Sequence, residues 1–394
     1  MLKNDFDIII LGGGLVGLTA AHLCANQDLS VVVIEQGMPD VTWDVEKCAV
    51  RCSAISRKSQ KIFEKIGVWQ SMVAQRISPY RSMVVWDAVG FSEITFDAVE
   101  VTEPDLGHMI ENRIMAETLW KAAEQHPNIT LRPTTHPKTL QVDPHCIRLE
   151  THDQVITQAT LIIGADGAHS WLRKAAKVEV IQRDYHQWSL IATVKTDLPH
   201  QETAWQRFLP EGPLAFLPLL EPFTSSIVWT STEEKIASLM LLPEKQFCQE
   251  LAHAFDYRLG QVLSSSERQH FPLQMIHAKQ YIQDRMVFIG DALHVIHPLA
   301  GQGLNLGLDD AWELAEIVAT AKVACLDIGS RLVLRKFERA RQGAIRTMMM
   351  TVEFLRRIFG SQLSLVVWLR NVGVDLVSRS GILKKKMIQA ALGI

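Results

Sequence analysis

The stretch up to Gln36 constrains the fold more than any other part of the chain. Residues 7–11 form a buried, strand-like run, a G-x-G-x-x-G motif follows from Gly12 to Gly17, and a helical pattern leads to a second apolar strand, residues 30–34, and to Glu35. In a β-α-β unit the first glycine permits a tight turn, the second lets the backbone approach a pyrophosphate, and the third lets helix and strand pack closely. Glu35 lies eighteen positions after Gly17, near the offset of about 20 expected for an acid that binds a ribose hydroxyl. The order of elements therefore predicts a dinucleotide site, for which we select Gly12, Gly14, Leu15, Val16, Gly17, Glu35 and Gln36. The alternative, a glycine-rich turn in an ordinary α/β domain, leaves Glu35 unexplained.

Two further glycine-rich segments follow apolar strands much later in the chain. The first runs from Gly164 to Gly167 and contains Asp166, which either accepts a hydrogen bond from a ribose or caps the helix that follows. The second extends from Gly290 to Asp309 and is expected to enter a helix near Leu306. A glycine-rich loop lets backbone N–H groups approach a ligand, and the following helix adds the positive end of its dipole.

Together the three segments have the order G-x-G-x-x-G, then G-A-D-G-x-x-S-x-x-R, then G-D-A-x-H-x-x-x-P-x-x-G-Q-G-x-N. This order resembles the FAD-dependent aromatic hydroxylases, and residues 297–307 are similar to the branch that hydroxylates ubiquinone precursors. The resemblance covers nearly the full chain, because the segments 51–56, 67–69, 106–112, 205–208, 212–218 and 381–393 also look like that branch. The chain departs from the family at Leu293 and Val295, where alanine and threonine are usual.

The resemblance implies an α/β fold with a discontinuous Rossmann-like FAD-binding domain, an inserted mixed or antiparallel β-sheet substrate domain, and a C-terminal helical region. We expect the FAD-binding domain to comprise residues 1–75, 100–182 and 275–330. Strand-like spacing of apolar residues, broken by glycine and proline, indicates a substrate domain of residues 76–99 and 183–274. Residues 331–394 are expected to form the basic helical region.

The activity implied by the resemblance is hydroxylation of the ring of a polyprenylated phenol or benzoquinol. NAD(P)H would reduce FAD, and the reduced flavin would react with O2 to give a flavin C4a-hydroperoxide, so the protein has to position the ring and exclude water. Only one dinucleotide fingerprint is evident, which favours transient binding of NAD(P)H. Besides the first motif, the expected FAD contacts are Arg51, Asn112, Asp166, Gly290, Asp291, Pro298, Gly301, Gly303, Leu304 and Asn305.

Several of these residues have a second interpretation. Arg51 either contacts the cofactor or forms a surface ion pair, and Asn112 either contacts the flavin chain or caps a helix over residues 113–123. His297 and Pro298 are placed in a flavin-proximal catalytic loop. His294 or His297 could accept the phenolic proton, since the unperturbed pKa of an imidazole, about 6.5, suits that task, but a histidine in such a loop is as often a structural hydrogen-bonding group. No catalytic base is assigned.

Charge is distributed unevenly along the chain. The formal net charge is −3, which gives no indication of nucleic-acid binding, but the last 64 residues hold thirteen Lys or Arg and only three Asp or Glu. With the apolar run 363–369, this pattern fits a helical region on an anionic membrane or on a partner of a quinone-biosynthesis complex. The alternative is a solvated helical tail packed on the flavin domain. Met348, Met349 and Met350 either adapt to a lipid tail or are simple core.

Other features narrow the protein class. No apolar run approaches the roughly 18 residues of a transmembrane helix, so we expect a cytoplasmic protein, peripheral at most on the inner face of a membrane. The six cysteines contain no C-x-x-C pair, which predicts free thiols and no metal site. The oligomeric state stays open.

Three rivals to a hydroxylase have to be considered. A flavin or nicotinamide reductase would share the first motif but would not hydroxylate a ring. A flavin-dependent halogenase would need a W-x-W-x-I-P element, which this sequence lacks. A non-catalytic flavoprotein scaffold is disfavoured by the intact third motif. Hydroxylation of a different aromatic substrate is the remaining alternative.

Overall fold

The computed structural model describes residues 5–38, 51–90, 93–298, 301–361, 366, 368, 371–373, 376–377 and 380–393. Its strands, in chain order, are β1 Phe6–Leu11, β2 Val31–Ile34, β3 Cys52–Ile55, β4 Ile77–Pro79, β5 Ser82–Asp87, β6 Glu93–Asp97, β7 His108–Glu111, β8 Ile129–Arg132, β9 Pro137–Val142, β10 Ile147–Thr151, β11 Ile156–Gly164, β12 Val180–Thr196, β13 Thr203–Leu209, β14 Gly212–Pro218, β15 Thr224–Ser231, β16 Val262–Ser265, β17 Gln269–Ala278, β18 Ile282–Gln283, β19 Met286–Phe288 and β20 His294–Val295. Its α-helices are α1 Leu15–Ala25, α2 Arg57–Lys65, α3 Trp69–Val73, α4 Asn112–Glu124, α5 Trp171–Ala175, α6 Glu233–Leu241, α7 Glu244–Ala254, α8 Gly303–Val323, α9 Arg331–Gly360 and α10 Gly381–Leu392. Short 3-10 helices cover Ala98–Val101 and Gly290–Ala292.

The first sheet has eight strands and contains the predicted β-α-β unit. Its order is β18-β19-β11-β1-β2-β8, and β10 and β9 extend it from the N-terminal part of β11. The five strands from β19 to β8 are parallel. Their apolar side chains are buried on both faces, as expected when helices cover both sides of a parallel sheet. The fold is therefore of the predicted Rossmann-like class.

The second sheet has nine strands in the order β20-β17-β12-β15-β14-β13-β5-β6, with β16 beside β12. It unites the two stretches in which the sequence predicts antiparallel strands. They are joined by a parallel pair, β5 with β13, so the sheet is mixed. Alternate side chains on one face, among them Leu190, Phe216 and Trp229, pack with residues of α6 and α7 in a separate hydrophobic cluster. Most of these strands lie within residues 76–99 and 183–274, and the assignment of those ranges to a substrate domain stays a prediction.

A small third sheet, β3-β7-β4, lies next to α2 and α4 in the chain. The structure corrects two expected helix boundaries. The helix expected near Leu306 begins at Gly303, which places Gly303, Leu304 and Asn305 in its first turn. The helix expected over residues 113–123 begins at Asn112 with Glu111 as the cap residue, so Asn112 does not cap it.

The C-terminal helices each pack one face against the rest of the protein. Val333, Leu334, Phe337 and Ile345 of α9 belong to the main hydrophobic core. Ile388 and Leu392 of α10 pack in a small cluster with Ala98 and Leu106.

Part of the apolar run 363–369 and Cys48 lie outside the described residues. Among the described residues, no helix is long and apolar enough to cross a membrane, no cluster has metal-ligating composition, and the cysteines Cys24, Cys146, Cys248 and Cys325 form no disulfide bond.

Candidate cofactor and substrate site

The three sequence motifs meet at one edge of the first sheet. The register pairs Leu11 with Ile34 and Gly164, and Gly164 with Phe288, so four parallel strands end at the same level. Glu35, Asp166 and the loop from Gly290 lie one or two residues after three of these strands, and Gly12 follows the fourth. In open α/β sheets, ligands bind in the crevice outside the carboxyl ends of the strands.

The glycines of the first motif have different surroundings. A Cβ atom at Gly12 would lie 2.3 Å from the carbonyl oxygen of Ala165, and one at Gly17 would lie 2.0 Å from that of Gly12. Gly14, in contrast, has no neighbouring atom within 4 Å of a Cβ position. Gly12 and Gly17 therefore permit close packing of strand and helix, whereas Gly14 borders open space. Gly14 is also the cap residue of α1, and no side chain caps that helix, which leaves its N-terminal N–H groups for a ligand.

Glu35 is held in place at the end of β2. Its carboxylate accepts hydrogen bonds from the N–H groups of Gly13 at 2.6 Å and Gly37 at 2.8 Å. An oxygen of a carboxylate is able to accept more than one hydrogen bond, so the Glu35 carboxylate can accept a further one from a ribose hydroxyl. Gln36 follows it and is exposed.

Asp166 makes the capping contact that one of its two interpretations expects, and its contact with a ribose stays a prediction. One oxygen, Oδ2, accepts a hydrogen bond from the N–H of Leu172 at 3.0 Å and so stabilises the start of α5. The other oxygen, Oδ1, is buried without a hydrogen-bond partner among the described residues. Burial raises the pKa of this carboxyl group, although hydrogen bonds from Ser170 and the α5 backbone oppose the rise. A buried acceptor without a donor is costly, and a ribose hydroxyl would supply one.

The third motif is anchored to the first through Val16 of α1. A Cβ atom at Gly307 would lie 2.8 Å from a methyl group of Val16, and one at Gly290 would lie 3.2 Å from the other methyl group. These two glycines therefore let α8 and the loop pack closely against α1. The cap residue of α8, Gln302, makes no side-chain capping bond, so a second free helix N-terminus lies in the same region.

A buried cluster that sequence reasoning missed holds both ends of this loop. Asp310 of α8 accepts hydrogen bonds from the N–H of Gly290 at 3.0 Å and from Nε of Arg341 at 2.7 Å, and its Oδ2 lies 2.6 Å from Nε2 of His294. Arg341 also donates to the carbonyl oxygen of Leu306 at 3.2 Å. Burial would raise the pKa of Asp310, but the contacts with His294 and Arg341 outweigh it and lower the pKa. His294 is therefore engaged as a structural hydrogen-bonding group, in agreement with one of its two interpretations.

The side chains of two asparagines that are predicted to contact FAD form hydrogen bonds with other groups of the protein. Asn305 accepts hydrogen bonds from the N–H of Ser56 at 3.0 Å and the hydroxyl of Ser59 at 2.8 Å, and it donates to the carbonyl oxygen of Ala54 at 2.9 Å. Asn112 accepts a hydrogen bond from the hydroxyl of Ser53 at 2.6 Å. Asn305 thus attaches the first turn of α8 to β3 and α2, and its contact with FAD stays a prediction.

Arg51 and Asp291 lie near each other at the open side of the site. The guanidinium carbon of Arg51 lies 5.9 Å from the ring centre of Phe271. Asp291 is accessible, but protein encloses its side chain on most sides. This enclosure raises the pKa of its carboxyl group, while His294 and Arg51 oppose the rise. Arg51 is exposed, and its role in cofactor binding stays a prediction.

These features fit FAD. Gly14 borders open space beside an uncapped helix, Asp166 has a buried acceptor without a donor, and a second uncapped helix begins at Gly303. The first would hold the pyrophosphate, the second a ribose, and the third the flavin ring, where N–H donors stabilise negative charge. When bound, FAD supplies the redox and oxygen chemistry, and the protein supplies its position. The individual contacts stay predictions; Leu299 and Ala300 lie outside the described residues.

A cavity of about 190 Å³ lies beside the predicted flavin-proximal loop. Its lining comprises Tyr185, Gln187, Phe208, Leu209, Pro210, Glu211, Gly212, Pro213, His297, Arg356, Phe359 and Gly360. These residues come from β12, from the turn between β13 and β14, from the end of α9 and from the loop. The rings of Phe208 and Phe359 stack at 3.8 Å between centres and form an apolar wall. None of the lining residues except His297 was selected from the sequence, because they come from four distant segments.

His297 is the polar group of this cavity that belongs to the third motif. It is 1% exposed, and its Nε2 lies 3.2 Å from Oε1 of Gln187. Its ring packs edge-on against Tyr185 at 4.9 Å. Burial is the main cause that lowers the pKa of His297 to about 4, with a further contribution from Arg356. The imidazole is therefore neutral at pH 7. Pro298 follows and is half-buried.

The fold and the site define a flavoprotein of the aromatic-hydroxylase type, and comparisons with known proteins agree. The sequence profile of the FAD binding domain family matches residues 5–339. The chain is 34% identical to the 3-demethoxyubiquinol 3-hydroxylase of Escherichia coli strain K12, over the full length of both proteins. It is 32% identical to the ubiquinone hydroxylase UbiL of Rhodospirillum rubrum, covering 98% of this chain and 89% of that protein. The p-nitrophenol 4-monooxygenase PnpA from Pseudomonas putida DLL-E4 has the same fold, with a TM-score of 0.79, 15% identity and 98% of each chain covered.

The chain belongs to the FAD binding domain family and, within it, to the FAD-dependent hydroxylases of ubiquinone biosynthesis. It is an FAD-dependent monooxygenase, and NAD(P)H is the typical electron donor of this family. The predicted family, fold class, enzyme class and cofactor are thus confirmed. The reductase, halogenase and scaffold alternatives are set aside.

Proposed function

We propose that this enzyme hydroxylates the ring of a neutral, polyprenylated phenol or benzoquinol that enters the cavity beside His297. The supporting observation is the cavity lining, which combines the apolar wall of Phe208 and Phe359 with one neutral histidine. A volume of about 190 Å³ lies below the roughly 300–1,000 Å³ of sites that enclose a drug-sized ligand. It suits a single substituted ring whose tail extends outward.

The charges around the cavity favour a neutral ring over a benzoate. Arg356 is a cationic side chain of the lining, but its guanidinium binds the Glu353 carboxylate at 3.0 and 3.1 Å. It also lies over the ring of Tyr185, 5.1 Å from its centre. A substrate carboxylate would therefore meet a guanidinium whose charge the Glu353 carboxylate already neutralises. Relatives such as the 3-demethoxyubiquinol 3-hydroxylase are named for a quinol substrate, which supports the same choice.

Mass spectrometry of a deletion strain tests this proposal most directly. Loss of the gene should cause a prenylated phenol or benzoquinol that lacks one ring hydroxyl to accumulate, and its structure would identify the ring carbon. The purified enzyme should hydroxylate that intermediate with NAD(P)H and O2. Normal quinone levels, together with no turnover of prenylated phenols by the purified enzyme, would reject the proposal in favour of another aromatic substrate.

We also propose that the C-terminal helices contact an anionic membrane from which the tailed substrate is drawn. Phe354 of α9 is 60% exposed and Ile382 of α10 is 77% exposed, and Lys385 and Lys386 on α10 are exposed as well. Exposed apolar and basic side chains together are typical of interfacial helices. Phe359, at the end of α9, lines the cavity, so the surface and the cavity share one helix.

Vesicle co-sedimentation tests this second proposal. Binding to vesicles that contain an anionic lipid should exceed binding to neutral vesicles, and Phe354→Ser with Ile382→Ser should weaken it. Leu241→Ser provides a matched control, because Leu241 is 85% exposed on α6 in the substrate region. Equal sedimentation of all variants on both kinds of vesicle would contradict a membrane role for these helices.

A further inference from the structure

The tautomer of His297 follows from its neighbours. The side-chain nitrogen of Gln187 donates a hydrogen bond to the carbonyl oxygen of Glu211 at 2.5 Å. A carbonyl oxygen only accepts, so the orientation of the Gln187 amide is fixed and its Oε1 is the atom that lies 3.2 Å from Nε2 of His297. Because Oε1 also only accepts, Nε2 has to carry the proton.

The other ring nitrogen of His297 is therefore an acceptor. In a neutral imidazole with a proton on Nε2, Nδ1 holds a lone pair. Nδ1 of His297 is buried and has no hydrogen-bond partner among the described residues. A buried acceptor without a donor costs stability unless a ligand or water supplies the donor.

We propose that Nδ1 of His297 accepts the hydrogen bond of a ring hydroxyl of the phenol or quinol bound in the cavity. This assignment rests on the proposed function and adds to it the group that recognises the hydroxyl. The bond orients the ring relative to the loop that carries Pro298. It also draws the hydroxyl proton towards nitrogen and increases the electron density of the ring, which favours attack on an electrophilic oxygen. Gln187 acts as a positioning residue, because it contacts His297 and fixes the tautomer.

A pair of substrate analogues isolates this hydrogen bond. The holoenzyme is titrated without NAD(P)H, with 2-prenylphenol and with its methyl ether, and binding is followed by the absorbance of the bound flavin. The ether has the same ring and tail but no O–H donor. The wild-type enzyme should bind the phenol more tightly, on the order of 10- to 100-fold, because the ether leaves Nδ1 without a donor.

Substitutions at His297 separate the two nitrogens. The side-chain amide of asparagine reaches the position of Nδ1, whereas that of glutamine reaches the position of Nε2. His297→Gln should therefore abolish the preference for the phenol over the ether, and His297→Asn should retain part of it. His200→Asn is the matched control, because His200 is 3% exposed, its Nε2 donates to the carbonyl oxygens of Leu219 and Glu221, and its Nδ1 accepts from the N–H of Glu202. It should leave the preference unchanged.

Nitrogen-15 NMR of labelled histidine gives a second measurement that needs no substitution. Free enzyme should show an unprotonated Nδ1 for His297, and its resonance should move when 2-prenylphenol binds but not when the ether binds. A protonated Nδ1, or a wild-type preference that survives in His297→Gln, would overturn this assignment while leaving the proposed function intact. If the wild-type enzyme neither binds nor hydroxylates prenylated phenols, the proposed function fails and the assignment fails with it.

Discussion

Arg341 and Asp310 form a buried ion pair, with Nε of Arg341 2.7 Å from Oδ1 of Asp310 and both side chains at most 7% exposed. Asp310 also accepts the N–H of Gly290, and Arg341 also donates to the carbonyl oxygen of Leu306. The pair therefore connects α9 to the two ends of the loop that is predicted to hold the flavin. A change in this pair should affect both the stability of the fold and the affinity for FAD.

Asp310→Asn should destabilise the protein by about 3–5 kcal/mol, because it leaves the buried Arg341 without a neutralising charge. Urea unfolding of the wild type and the variant measures this difference. Glu316→Gln is a suitable control, because the Lys65–Glu316 pair spans 2.7 Å but its side chains are 42% and 48% exposed. An exposed pair of this kind contributes about 0–1 kcal/mol. Equal effects of the two variants would mean that burial of the Asp310 pair has no energetic consequence.

Gly307→Ala should destabilise the contact between α8 and α1, whereas Gly343→Ala in α9 should not harm stability. A methyl group at Gly307 would lie 2.8 Å from Val16 and 3.1 Å from the Cα atom of Gly290, whereas one at Gly343 has no neighbour within 4 Å. Overpacking typically costs about 1–3 kcal/mol, while Gly→Ala in an unobstructed helix gains about 0.5–1 kcal/mol.

A double variant distinguishes this clash from a loss of backbone freedom. Val16→Ala removes the methyl groups that a side chain at residue 307 would meet, so Val16→Ala with Gly307→Ala should be more stable than the sum of the single changes predicts. Thermal unfolding of the four proteins provides the cycle. Strict additivity would show that Val16 is not the neighbour that requires glycine at residue 307.

The sequence predicts the edge of the first sheet well and the cavity poorly. Gly12, Glu35, Asp166 and Gly290 each lie one or two residues after a buried apolar strand, and parallel strands bring such ends together. The local pattern is therefore sufficient for this part. Asp310 could have been selected from the sequence, since it directly follows the segment from Gly290 to Asp309. The sequence around its partner Arg341 contains no motif that would indicate their contact.

The cavity depends on contacts between segments that are distant in sequence. The pairing of β12 with β17 shifts register between Asp184 and Gln187. Two extra residues of β12 lie within this shift, so that Gln187 rather than Tyr185 pairs with Leu273, and no feature of residues 180–196 in the sequence indicates it. The register shift therefore explains why the contact of Gln187 with His297 could not be predicted from the strand pattern alone.

Gly14→Ala should weaken FAD binding without destabilising the apoprotein. The backbone of Gly14 is extended, with φ −74° and ψ −179°, which alanine adopts easily. The new methyl group would project into the open space beside the N-terminus of α1, where the pyrophosphate is predicted to bind. Fluorescence titration of the apoprotein with FAD should show at least about tenfold weaker binding, or about 1.4 kcal/mol, at an unchanged melting temperature. Unchanged affinity would place the pyrophosphate elsewhere.

The dependence of stability on pH should reveal the neutral state of His297. Its pKa is lowered from 6.5 to about 4 in the folded protein, so below pH 6.5 the unfolded chain binds a proton that the folded protein does not. The stability that the neutral His297 contributes is therefore fully present above pH 6.5 and is lost as pH falls towards 4. Lowering the pH from 7 to 5 should reduce the free energy of unfolding by about 2 kcal/mol through His297 alone.

His297→Asn removes this titration and should reduce the difference in unfolding free energy between pH 7 and pH 5 by about 2 kcal/mol. Burial also lowers the pKa values of His22, His108, His200 and His277, so part of the acid sensitivity should remain in the variant. Arg356→Gln should reduce the acid sensitivity in the same direction, because Arg356 lowers the pKa of His297 and Glu353 raises it. Loss of the arginine would therefore raise the pKa of His297 and narrow the pH window in which acid destabilises the fold. An acid sensitivity that is the same in wild type and His297→Asn would mean that His297 has the same pKa in the folded and the unfolded protein, and would contradict the lowered pKa.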